Sequence, residues 1–218
     1  MRRLACGGLV IGSGAAVVAV LLLSHQPAFY RHRVAAAAGD DVRARRLVTK
    51  ASALHADLLR PGPWQAAIGE PELNAWLATD LPRNHSGLLP AWMAVPRVAF
   101  SPRRVRAGWR LAVGPASVVA SCEAEVTLRG ADQLVVAVHR ARLGGLPIPR
   151  GPAVHEIDRC IRALGLPTEL RRLDGQTVIV VYTSAGQSAR ASHRRLEAFA
   201  VEQGELLAAG VGVAAADR

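Results

Sequence analysis

Residues 97–149, RVAFSPRRVRAGWRLAVGPASVVASCEAEVTLRGADQLVVAVHRARLGGLPIP, decide the fold. In Arg104–Val113 the apolar set Val105, Ala107, Trp109, Leu111 and Val113 alternates with Arg104, Arg106, Gly108, Arg110 and Ala112. In Ser117–Arg129 one parity carries Val118, Ala120, Cys122, Ala124, Val126 and Leu128, the other Ser121, Glu123, Glu125, Thr127 and Arg129. A third run ends at Leu143. Period-two alternation marks half-buried antiparallel strands, because successive side chains point to opposite faces. Gly114-Pro115 and the RGAD turn at 129–132 separate the runs. The expectation is a curved antiparallel meander with one oily face and one Arg-rich face.

Working outward, Pro152–Leu164 places Val154, Ile157, Ile161 and Leu164 on one side of a helix, long enough to lie across the oily face. Asp174-Gly175 between two β-prone runs predicts a hairpin. Val178–Val181 is apolar throughout and suits a central strand. LEAFAVEQGELLAAG (196–210) can be drawn as a helix, but Gly204 between two apolar runs favours a second hairpin. Upstream, Trp64–Ile68 reads as a short strand. Glu70-Pro71-Glu72 opens a helix whose buried side is expected to be Leu73, Trp76, Leu77 and Leu81. Val34–Arg60 reads as one amphipathic helix ended by Pro61-Gly62-Pro63.

The N-terminus sets the compartment. Leu4–Leu23 carries no charge, and as a helix it spans about 30 Å, the thickness of a bilayer core. No small-x-small cleavage site follows it, so a retained anchor is expected rather than a cleaved signal. Phe29-Tyr30 is expected at the membrane interface. Arg2 and Arg3 favour a cytoplasmic N-terminus, while Arg31 and Arg33 oppose it. The short leading tail favours an N-in orientation, with the soluble part on the periplasmic side of an inner membrane. Gly8, Gly12 and Ala16 recur at four-residue spacing, a face on which two such helices can approach as a homodimer. The expected organisation is a short tail and transmembrane anchor over 1–33, a juxtamembrane helix or stalk over 34–60, an α+β envelope domain over 61–210 packed on one or two short helices, and a frayed tail over 211–218.

The net charge of +10 favours anionic partners, although the abundance of arginine suits a GC-rich coding bias. Arg104, Arg106 and Arg110 share one sheet face and are candidates for contact with anionic lipid or an acidic polymer. Nucleic acid is not expected: stacking aromatics are missing beside the arginines, and Trp109 has inward parity. Cys122 and Cys160 are either a disulfide or two buried thiols. His155-Glu156 starts like a zinc-protease helix, but Arg159 stands where the second histidine is needed. No metal, cofactor or catalytic motif is expected.

The order of pieces carries a resemblance: an anchor, EPELNAWLATDLP (70–82), RVAF (97–100), RVRAGWRLAV (104–113), LGGLPIPRG (143–151), a short helix, an Asp-Gly hairpin and GELLAAG (204–210). Over residues 64–210 the chain resembles small anchored envelope proteins of the YpmS type. More distantly it is similar to the LmeA-like phospholipid-binding group, whose fold is like the tubular lipid-binding domains. The resemblance implies a sheet wrapped on a helix, with a groove for acyl chains. Val105, Trp109, Val118, Val126, Val136, Ile157 and Ile161 are the expected groove residues, and would form a solid core if the helix seals the sheet. The functional expectation is a non-enzymatic, membrane-anchored protein binding lipid or another amphiphile between sheet and helix. The alternative is an assembly module that dimerises through its anchor and offers the sheet to a protein partner.

Overall fold

The structure, a computed structural model, describes residues 22–37, 39–90, 92–114, 116–130, 132–183 and 193–213. Two helices come first, α1 (Ala28–Ala36) and α2 (Asp41–Leu58). They are followed by β1 (Gly62–Gly69) and α3 (Glu70–Asn84). The meander is β2 (Ala94–Ser101), β3 (Arg104–Val113), β4 (Ala116–Leu128) and β5 (Gln133–Leu143), with a short β6 (Leu146–Pro147). Helix α4 (Arg150–Ala163) leads to two hairpins, β7 (Thr168–Leu173) with β8 (Gln176–Tyr182), and β9 (His193–Glu202) with β10 (Glu205–Val213).

The result is α+β, and every strand pair is antiparallel. Seven strands form one sheet in the order β2-β3-β4-β5-β8-β7, with β6 beside β5; the other three form a second sheet, β1-β10-β9. Among the described residues no helix is long and apolar enough to cross a membrane. The expected anchor, with Gly8, Gly12 and Ala16, lies outside the described residues up to position 21. Leu22–Ser24 are helical.

The oily face of the large sheet is sealed as its pattern predicts. Ala124, Val138, Val154, Ile179 and Val181 form a buried cluster, with Val136, Ile157, Ile161, Leu134 and Leu170 packed on it. Helix α4 therefore lies on β5, β8 and β7. Burying an aliphatic side chain as completely as Ile179, which is 0% exposed, is worth about 1.5–3 kcal/mol. Beneath α4, Asp158 accepts hydrogen bonds from Thr168 Oγ1 and from Arg162 Nε (2.9 Å). Burial alone would raise its carboxyl; these two donors more than offset that and hold it below the ordinary carboxylate range.

The helix expected over Val34–Arg60 is two helices, separated around Gly39, which has φ +73°. Asp40 restarts the chain as N-cap of α2, its Oδ1 accepting from the Arg43 N–H at 3.0 Å. Helix α1 is no free stalk. Tyr30 is 1% exposed and donates its hydroxyl to the Val95 carbonyl at 2.8 Å, so its ring is packed inside the domain. Space for it comes from Gly108: a Cβ there would stand 2.9 Å from the Tyr30 ring and 3.3 Å from Phe29.

Helix α3 also differs from its sequence reading. Its buried side is Glu70, Asn74, Ala75, Thr79 and Leu81. The reason is its neighbour, the edge strand β2, whose outward backbone groups need polar partners. Asn74 supplies both: Nδ2 donates to the Val98 carbonyl (2.8 Å) and Oδ1 accepts from the Val98 N–H (2.9 Å). Glu70 accepts from the Phe100 N–H at 2.6 Å and pairs with Arg33 of α1. Gly204, in the β9–β10 turn, donates to the Phe100 carbonyl (3.3 Å) and accepts from the Glu70 N–H (2.8 Å), which locks the small sheet to the large one. Residues 211–213, expected to fray, finish β10; 214–218 lie outside the described residues.

Candidate functional site

The residues expected to line a groove under α4 are distributed differently. Val118 is buried, and Val136, Ile157 and Ile161 belong to the packed cluster around Ile179. Val105, Val126 and Trp109 are half-buried. The Trp109 ring is 6.3 Å from the Trp92 ring, which places Trp92 against the apolar face of β3. The space between the large sheet and α4 is thus filled by side chains.

An open apolar trough of about 710 Å³ lies instead between α2 and the three-stranded sheet. One wall is the α2 face carrying Leu47, Ala51 and Leu54, with Lys50 and Asp57 at its margins. Ten residues separate Leu47 from Asp57, so this wall runs about 15 Å. The floor is built from alanines of β1, β9 and β10, with Phe199 and Leu207 between them. Register gives two successive cross-strand rows, Ala66-Ala208-Phe199 and Ala67-Leu207-Ala200, whose side chains point to opposite faces of the sheet. Lys50, the only lysine of the chain, is held by Glu72 at 2.6 Å. Such a volume, apolar with few polar groups, is typical of small-molecule sites.

The sequence offers an apolar stripe of Val42, Leu47, Val48, Ala51, Leu54 and Leu58 on this helix; Leu47, Ala51 and Leu54 line the trough, whereas Val42 and Val48 are exposed. The floor was not legible. It needs β1 to pair with β10 across most of the domain, which no local pattern announces.

The basic face is also not an open one. Arg104 pairs with Glu123. The Arg106 guanidinium lies 5.3 Å from the centroid of Phe29. Arg110 and the buried Arg97 surround the Tyr30 hydroxyl. Burial pushes Tyr30 up, and both arginines oppose that; burial pushes Arg97 down. Arg97 donates to the Pro96 carbonyl at 2.6 Å. The Nε atoms of Arg97, Arg106 and Arg110 are buried with no hydrogen-bond partner. Helix α1 therefore roofs the middle of this face.

Cys122 and Cys160 are free thiols in this structure, so the disulfide reading is not realised. They are near enough to influence each other. Burial, with a smaller contribution from Cys160, pushes Cys122 up to about 11 against a backbone hydrogen bond at Ala107. His139 pairs with Glu125 at 3.1 Å, whereas the His155 ring meets the Gly151 carbonyl at 2.9 Å, so the two histidines have separate partners. Among the described residues no cluster of three metal-ligating side chains occurs. Compared with protein-family models, curated proteins and solved structures, the chain matches none.

Proposed function

We propose that the chain is a single-pass membrane-anchored envelope protein whose domain holds an acyl chain of a lipid or similar amphiphile, without catalysing a reaction. The observation that supports this reading is the trough of about 710 Å³ between α2 and the three-stranded sheet. Its apolar lining and a wall about 15 Å long suit a hydrocarbon chain better than a compact polar ligand. Apolar surface left open in this way is costly in water, at about 25 cal/mol per Å², and a bound chain recovers that cost. The apolar run ending at Leu23 would hold the trough near a supply of such chains, and the domain would lie on the outer side of an inner membrane.

A photoreactive diazirine on the acyl chain of a phospholipid tests this reading with the full-length protein in membranes. The expected adducts fall on peptides containing Ala51–Leu54 and Phe199–Leu207. Ala51→Trp fills the trough and should remove at least about four-fifths of them, in keeping with the tight packing of protein interiors. Adducts confined to residues before Ser24, unchanged in A51W, would refute acyl binding by the domain.

A further inference from the structure

A second cavity, of about 270 Å³, lies where the chain leaves its apolar N-terminal run. Its floor is set by sheet register. Arg106, Glu123 and Arg140 stand opposite one another across β3, β4 and β5; Gly108, Ser121 and Arg142 form the next row on the same face. Gly108 has no side chain, and the Phe29 and Tyr30 rings fill that gap, so the start of α1 stands beside the remaining positions. Arg106, Arg140, Arg142 and Ser121 line the space together with His25 and the first residues of α1.

The cavity is a receptor for negative charge. Its one carboxylate, Glu123, is engaged by Arg104, outside the lining. Among the described residues none of Arg106, Arg140 and Arg142 pairs with a carboxylate, and the Arg106 Nε is buried without a partner. Ser121 is only 8% exposed, and its hydroxyl makes no hydrogen bond among the described residues. Helix α1 has proline as N-cap, no side-chain cap and no acid in its first turn, so its leading N–H groups are left for an outside acceptor. Several guanidinium forks, a hydroxyl and a helix start converging on one small space match a tetrahedral phosphate better than a planar carboxylate.

The position selects the source of that phosphate. The Gly145 N–H donates to the Leu22 carbonyl at 2.6 Å, and Gly144 has φ +60° with no room for a Cβ against the Leu22 and Leu23 carbonyls. The exit of the apolar run is thus bolted to the β5–β6 turn. His25, on the cavity wall, is three residues beyond Leu22, within about 11 Å of chain. With that run in a bilayer, the cavity sits at headgroup depth. We infer that Arg106, Arg140, Arg142 and Ser121 form a binding pocket for the phosphate of an anionic membrane lipid. This inference rests on the anchored reading above, but not on the acyl trough.

The test uses full-length protein in neutral detergent, titrated calorimetrically with dihexanoyl phosphatidylglycerol and, separately, with inorganic phosphate. Arg140 and Arg142 are exposed, so R140Q/R142Q should fold as the parent does, checked by circular dichroism. R45Q/R46Q removes the same charge from the exposed side of α2. The expected result is at least about tenfold weaker lipid binding in R140Q/R142Q and less than about twofold in R45Q/R46Q, with inorganic phosphate binding more weakly than the lipid. Equal losses in the two variants, or none in R140Q/R142Q, would overturn the pocket. Inorganic phosphate binding as tightly as the lipid would assign the site to a soluble phosphate compound and overturn the lipid source. Retention of the protein in alkali-washed membranes reports the anchor independently, so failure of the anchor and failure of the pocket give different results.

Discussion

Replacing Asn74 is the sharpest test of how the large sheet ends. Its amide stands in for a neighbouring strand, bonding both the N–H and the carbonyl of Val98, while Nδ2 also donates to the Glu70 carbonyl at 2.9 Å. The residue is 2% exposed, so water cannot replace it without moving α3. Asn74→Ala leaves two backbone groups without partners, at about 1–3 kcal/mol for each that stays dry. The better helix propensity of alanine returns about 0.5 kcal/mol. With both groups dry the net cost is about 1.5–5.5 kcal/mol, a drop of roughly 3–22 °C in Tm for a domain of this size. Asn74→Asp is nearly isosteric, yet it puts a carboxylate oxygen against the two carbonyls that Nδ2 now bonds. That variant should be worse than alanine at pH 8. It should recover as pH falls, because burial among acceptors raises the folded-state pKa of the new carboxyl, and the proton then supplies the missing donor. Thermal unfolding of the full-length protein measures both effects, and amide exchange at Val98 reports the edge directly. If N74A costs under about 0.5 kcal/mol, or N74D matches N74A at pH 8, the edge-capping argument is wrong.

Two further predictions follow from packing and titration. Gly108→Ala should destabilise by about 1–3 kcal/mol, since the new methyl meets the immobile Tyr30 ring at 2.9 Å, and thermal melts should show it. Cys122, with its thiol at about 11, stays protonated in the folded protein while an unfolded cysteine ionises near 8.5–9. The unfolded state therefore binds fewer protons in that window. Stability should fall as pH rises from about 9 towards 11, and Cys122→Ala should flatten that part of the curve in pH-dependent unfolding.

Period-two alternation made β3 and β4 legible, and the Asp174-Gly175 turn did the same for the β7–β8 hairpin, because each is decided by neighbours a few residues away. Helix α4 was legible for the same reason: Val154, Ile157 and Ile161 must share a face wherever the helix docks. The misreadings involve partners distant in sequence. Asn74 and Glu70 looked like the wet side of α3 because a polar side chain is normally solvated; an edge strand inverts that preference. Arg106 and Arg110 looked like an outer surface because nothing near them in sequence shows that Phe29 and Tyr30 return to cover them. The trough was half visible for a similar reason, since its floor joins β1 to the last strand of the domain.

That last pairing has a bearing on biosynthesis. Strand β1 has a single partner in its sheet, β10, so it must wait through the synthesis of well over a hundred residues before its backbone bonds can close. The nascent chain would have its meander and α4 available first, and the floor of the trough could close only after Glu205–Val213 had emerged. A stop codon near Gly204 would spare the sheet under α4 and delete the central strand of the other sheet, leaving a folded torso without the floor of the trough.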